Sequence, residues 1–254
     1  MKQLLCSVAL LSAVGLLSTP TYAKHVKQFS TTKFNYTLPA NLAKQCRTKK
    51  TCPTIDIRLI KTEKTWLDTL VNEAFTNSKA PNYTNLRNEL NEFAKDAVSN
   101  YEAGSACTYT YTIKPKSLPD HKQVAQFTAK GFQDYGCTRY PEYDDYVSID
   151  MTTKKRLTAQ ALIVKGQDKR FMQVLRTHYH QMLNEIQDDG MSSQEIASHE
   201  RDYPLETSDN FYFDKKGITF QYSSGVLGSS IIGRPTLSIP YSQLKGIVKA
   251  EYLP

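Results

Sequence analysis

The residues best placed to do chemistry lie between Gly217 and Tyr241. This stretch carries glycines 217, 225, 228 and 233 and serines 223, 224, 229 and 230. A phosphate loop needs Gly-x-x-x-x-Gly-Lys-Ser/Thr at a helix start, so that backbone amides and the lysine meet phosphate. No lysine stands in that place. A nucleophile elbow needs Gly-x-Ser-x-Gly, and none of the four serines is so flanked. His178 and His180 form the one close histidine pair. Two residues apart on a helix is about 200°, so their side chains diverge, and His178 is expected on the apolar stripe as a core residue. Glu142, Asp144, Asp145 and Asp150 lack the alternating oxygen donors and terminal bidentate Glu of a calcium loop. Two of them, Asp144 and Asp145, are kept as the acids of an alternative, a glycan hydrolase using Asp or Glu. The expectation is no catalytic residue, no metal and no cofactor, with the Gly/Ser stretch as a connection between strands. Gly225, Gly228 and Gly233 stay candidates for partner contact.

The compartment follows from the first residues and the cysteines. Lys2, an apolar run from Leu4 to Leu17 and small residues at Thr21 and Ala23 predict a signal peptide over 1–23, cut before Lys24. No later stretch reaches about 18 apolar residues, so no transmembrane anchor is expected. Four cysteines follow: Cys46, Cys52, Cys107 and Cys137. An even count in an oxidising compartment points to two disulfides. Three pairings are possible; Cys46–Cys52 and Cys107–Cys137 join sequence neighbours and are favoured. The Cys-x-x-Cys pairs of a zinc site are absent. The chain is expected in the periplasm.

The net charge of +7 hides opposed regions. Lys24 to Ile60 holds eight Lys/Arg against Asp56; Glu185 to Asp209 holds eight acids, Asp188 and Asp189 among them, against Arg201. Each could be a solvated face or attract an opposite charge. Arg47, Lys49 and Lys50 sit in the loop that Cys46 and Cys52 would pin. Nucleic acid is a poor partner for an exported chain without interleaved aromatic and basic residues.

These residues need elements to hold them. Residues 24–40 read as extended, and Ile55, Ile57 and Leu59 share one face of a strand. Trp66 to Phe75 and Leu86 to Tyr101 repeat apolar residues at helical spacing. Thr108–Ile113, Val124–Phe132 and Tyr146–Met151 read as strands, and Tyr140–Asp145 as a loop. Asp168 is expected to cap a helix with Phe171, Val174, Leu175, His178, Met182, Leu183 and Ile186 on its apolar side. Phe211–Phe213 and Ile218–Tyr222 form a hairpin in which Gly217 supplies positive φ. Thr236–Ile239 is the last strand, and Ser242 caps a closing helix. Mixed blocks without βαβ alternation predict an α+β fold, an antiparallel sheet with helices packed on one side. The division expected is an N-terminal strand-helix-helix portion over 24–105 and a C-terminal domain over 106–254.

The run Asn210–Phe220, then Gly233, then Leu237-Ser-Ile-Pro-Tyr-Ser-Gln-Leu244 resembles the RsiV-like domain family, found in lysozyme-sensing anti-sigma factors and related exported proteins. Val147–Leu157 resembles that family's segment "nFDl-x-TGk-x-L". The sequence departs from the family at Tyr135-Gly-Cys-Thr138, where Gly-Gly-Ala-His is frequent, and at Gly225-Val-Leu227, where Tyr-Glu-Ile is common. A lysozyme-binding surface therefore does not carry over residue by residue. The resemblance implies an α+β, non-catalytic binding domain. The expected function is an exported envelope binding protein whose partner is lysozyme-like, facing the acidic region, or peptidoglycan, facing the basic loop. Besides the hydrolase, the alternative is an assembly partner of another envelope protein. Oligomeric state is not read from the sequence.

Overall fold

Alternation of apolar and polar residues along one long strand organises the molecule. In the computed structural model, which describes residues 29–100, 108–136, 138–139, 142–186, 191–229 and 232–254, β4 (Val124–Gly136) lies inside a seven-stranded sheet. Its companions are β1 (Phe29–Lys33), β2 (Thr54–Thr62), β3 (Thr108–Ser117), β5 (Thr138–Arg139), β6 (Tyr143–Asp150) and β7 (Lys155–Arg156). The order is β1-β2-β3-β4-β6-β7, with β5 also on β4. Among the described strands, only β2 and β3 pair in parallel. The sheet thus joins strands from both sides of residue 105.

Successive side chains point to opposite faces of a strand. Ala125, Phe127 and Ala129 of β4 face two helices, α2 (Thr65–Thr76) and α3 (Thr84–Ser99). There Leu67, Val71, Leu86, Leu90 and Phe93 are buried to within 1 % exposure, each contributing about 1.5–3 kcal/mol by leaving water. Asn72 locks α2 to β2: its Oδ1 accepts from Ile60 N at 2.7 Å, and its Nδ2 donates to Ile60 O at 2.9 Å.

The other face of β4 meets a second sheet, β8 (Phe211–Phe213), β9 (Gly217–Gln221) and β10 (Thr236–Pro240), in the order β10-β9-β8. Gln126 exchanges two hydrogen bonds with the Phe213 backbone, and Ser148 Oγ donates to Phe211 O. Helix α5 (Asp168–Ile186) packs against this small sheet through Phe171, Leu175, Tyr179 and Leu183. The α+β class stands: α2 and α3 pack on one face of the large sheet, and the small sheet, which carries α5, covers the other. The remaining helices are α1 (Ala40–Lys49), α4 (Ala159–Leu162), α6 (Ser193–Asp202) and α7 (Tyr241–Leu244). Among the described residues no helix is long and apolar enough to cross a membrane.

Several local expectations change. Residues 46–49 are the last turn of α1 and not a loop, with Lys50 as its left-handed C-cap at φ 57°. Residues 143–145 belong to β6, where pairing with β4 overrides the polar composition. Asp168 is the first helical residue of α5, and its carboxylate accepts from Gln160 Nε2. Tyr179, not His178, is the fully buried side chain of that turn; His178 is half-buried and bonds Gln243 Oε1 at 2.9 Å. Ser242 lies inside α7, whose N-cap is Pro240. Gly217 is needed for proximity and not for positive φ: a Cβ there would stand 2.0 Å from Ile239 O.

Candidate functional site

Several polar and aromatic side chains converge on the outer edge of β6. An unpaired edge exposes alternate N–H and C=O groups, and here two side chains satisfy them. Asn210 Oδ1 accepts from Tyr146 N at 2.7 Å, and Arg234 Nη1 donates to Asp144 O at 3.1 Å. Arg234 Nη2 also donates to Asp145 Oδ1 at 3.1 Å, and Asn210 Nδ2 reaches the same oxygen at 3.3 Å. The guanidinium lies 4.9 Å from the centre of the Tyr143 ring, a cation–π contact. Tyr143 lies across Gly131, where a Cβ would meet the ring at 2.0 Å. Beside it, the Tyr146 and Tyr212 rings are 4.5 Å apart. All three tyrosines are half-buried.

Burial, reinforced by Asp145 beside Tyr143 and by Asp144 beside Tyr146, pushes both hydroxyls up to about 12. Both are neutral hydrogen-bonding groups at physiological pH. The edge therefore combines ring faces, hydroxyls, a cation and carboxylates, a set suited to a polar ligand with an apolar face. Asp145 is engaged by Arg234 and Asn210, so the sequence's alternative acid serves here as a brace.

The other sequence candidates disperse. Cys46 and Cys52 form a disulfide with Sγ–Sγ 2.12 Å. Cys107 and Cys137 lie outside the described residues, as do Asp188 and Asp189; Thr108 and Gly136, the sequence neighbours of the two cysteines, are register partners. Arg47 Nε donates to Ala43 O and Lys49 Nζ to Val98 O, both at 2.9 Å, so both bases help hold the end of α1. Lys50 is exposed. The Gly/Ser stretch is a connection closed at its base, where Tyr222 N donates to Pro235 O at 2.9 Å. Gly225 and Gly233 take φ of 83° and 75°, and Gly228 packs on Ile232 and His199. Leu227 between them is fully buried in the core under α5, and His199 Nε2 donates to its carbonyl at 3.1 Å. Only Gly233 adjoins the tyrosine edge, through Arg234. Sequence inspection missed Tyr143, Tyr146, Asn210, Tyr212 and Arg234. The available signal was the tyrosine content, 16 in all, and its clustering at 135–146.

The run that carried the family resemblance is structural. Asp214 Oδ1 accepts from Lys216 N and Gly217 N, and Tyr241 Oη donates to Asp214 O at 2.8 Å. Buried Asp150, 2 % exposed, accepts from Thr152 N, Thr153 N and Tyr252 Oη, each at 2.8 Å.

These features define a two-sheet α+β protein with a tyrosine-lined edge. Residues 154–242 match the family described as "Protein of unknown function (DUF3298)". The chain is similar in fold to a crystal structure of a DUF3298 family protein from Pseudomonas aeruginosa PAO1, at 17 % identity and TM-score 0.60 over 89 % of this chain and 94 % of that one. It is also similar to a DUF3298 member from Bacteroides fragilis, at 15 % identity and TM-score 0.65 over 90 % and 96 %. At such identities the likeness concerns fold alone. No curated protein matches the chain.

Proposed function

We propose that this chain is an exported, non-catalytic binding protein of the bacterial envelope that recognises wall glycan at the β6 edge. The observation that carries the proposal is the pair of half-exposed rings Tyr146 and Tyr212, 4.5 Å apart and flanked by Arg234 and Asp145. A pyranose presents an axial C–H face that packs on an aromatic ring, with hydroxyls around its rim for tyrosine, guanidinium and carboxylate groups. Export is supported by the predicted leader over 1–23 and by the Cys46–Cys52 disulfide. The resemblance to RsiV-like domains supports an envelope role.

A second reading takes a lysozyme-like basic protein as partner. The exposed carboxylates Glu185, Asp202 and Glu206 favour it. Co-sedimentation with purified peptidoglycan separates the two. The wild-type protein should pellet, and Tyr146→Ala with Tyr212→Ala should stay in the supernatant while melting cooperatively. Failure of the wild type to pellet, with capture by immobilised lysozyme, would replace the glycan reading by the second. Turnover of the glycan that disappears in Asp144→Asn would replace both by the hydrolase.

A further inference from the structure

Among the described residues, β10 is the terminal strand of the small sheet, with no strand paired on its outer side. In β10–β9 the antiparallel register continues beyond both strands: Tyr222 N donates to Pro235 O and Tyr241 N to Lys216 O. Hydrogen-bonded and non-hydrogen-bonded pairs alternate in an antiparallel ladder. Residues 235, 237, 239 and 241 therefore turn their backbone groups toward β9, while Thr236 and Ser238 turn theirs outward. Both are exposed. Pro235 and Pro240 bracket the run, so the free edge offers two N–H groups within one short segment.

Beside that edge runs a groove of about 350 Å³ between β10 and α5, lined by His178, Gln181, Met182 and Glu185 on the helix side. His178 bonds Gln243, just past the C-terminal end of β10, so α5 runs antiparallel to β10 and Glu185 lies toward Thr236.

We propose that the occupant of this edge is a second copy of the chain, paired antiparallel through β10 about a two-fold axis at Leu237. Around that axis, Thr236 of each copy exchanges N–H···O bonds with Ser238 of the other, giving four bonds. These are all the outward amides the proline-bracketed segment possesses, which is the count a closed isologous contact needs. Adjacent strands lie about 4.8 Å apart, so helices seated on β10 of each copy come within about 10 Å, the spacing of packed helices. The same axis sets Gln181 and Met182 against their own counterparts. It places His178 of one copy opposite Glu185 of the other, a donor against a carboxylate on each side. Single-sided edge covering by an unrelated peptide would leave that matched pair without use. The inference is independent of the glycan reading, since the β6 edge is a different edge of a different sheet.

Sedimentation equilibrium of the purified protein between about 1 and 100 µM tests it, a range suited to a modest interface. The wild type should show a reversible monomer–dimer equilibrium. Gln181→Lys sets like charges across the axis, and Thr236→Lys crowds the edge; each should weaken the dimer at least tenfold while leaving the melting temperature of the monomer, read at concentrations too low for dimerisation, unchanged. Gln181→Cys should cross-link two copies on oxidation. Val226→Ser, at the exposed apolar residue of the Gly/Ser connection, should leave the dimer unchanged. A monomer throughout the range overturns the proposal. So does a dimer that Val226→Ser dissolves and Gln181→Lys leaves intact.

Discussion

Replacing Asp150 by alanine tests whether the C-terminus is fastened through one buried carboxylate. The side chain is 2 % exposed and accepts three hydrogen bonds, from two backbone amides of the β6–β7 turn and from Tyr252 Oη. The turn residues Thr152 and Thr153 are exposed, so their amides can bind water when the carboxylate is gone. The Tyr252 hydroxyl cannot do so easily, because Tyr252 is itself 4 % exposed. Hydrogen bonds to a charged partner contribute about 1.5–3 kcal/mol each, and a stranded buried donor costs about 1–3 kcal/mol. Summing one full loss with two partial ones gives about 3–5 kcal/mol for Asp150→Ala. Tyr252→Phe leaves the carboxylate its two amide donors and should cost about 1–2 kcal/mol. Asp150→Asn keeps one amide-accepting oxygen, and the Tyr252 hydroxyl can turn to accept from the new NH₂, so its cost should be below that of alanine.

The assay is urea unfolding of the wild type and the three single variants, with the Asp150→Ala/Tyr252→Phe double mutant closing a cycle. At about 2–4 °C per kcal/mol for a domain of this size, Asp150→Ala should melt about 6–20 °C lower. The cycle should return a coupling of about 1–3 kcal/mol between Asp150 and Tyr252. A single mutant within about 0.5 kcal/mol of wild type, or a coupling near zero, refutes the reasoning.

His121 stacks on Phe213 with ring centres 4.5 Å apart and bonds Tyr252 O through Nε2; burial holds its pKa below the ordinary 6.5. The unfolded chain therefore takes up the proton first, so stability should be full above about pH 6.5 and fall as pH drops toward the folded value, a slope that His121→Phe should reduce in pH-resolved melting. Gly217→Ala drives a methyl against Ile239 O and should cost about 1–3 kcal/mol or more, whereas Gly225→Ala meets no atom within 4 Å and bears only its backbone term; parallel urea titrations compare them. Leu227→Ala opens a cavity under α5 and should lose about 2–5 kcal/mol, a result that a freely solvated Gly/Ser connection would not give.

What could be read in advance follows from how each element makes its stability. Helices α2, α3 and α5 bury one stripe each, so their periodicity announces them. Helix α1 buries only Leu42 and Cys46, a single i,i+4 pair, and its polar remainder reads as loop. The stacking of a second, smaller sheet on the large one was illegible for a related reason. It depends on Gln126 and Ser148, polar residues buried by bonding the backbone of β8, and in sequence they look like solvent positions. The β6 edge failed to announce itself because its partners come from residues about 65–90 positions apart: Asn210 and Arg234 reach Tyr146, Asp144 and Asp145 only after both sheets stack. The motifs that did stand out, around Asp150 and around Gly217 and Tyr241, are the ones whose partners lie at tight turns and at the close approach of β9 to β10. Turn geometry admits few residue types, so it leaves a pattern in the chain. An edge built from tyrosines and one arginine admits many, so on the glycan-binding proposal ligand preference should vary through residues 143–146, 212 and 234 while the turn residues stay fixed.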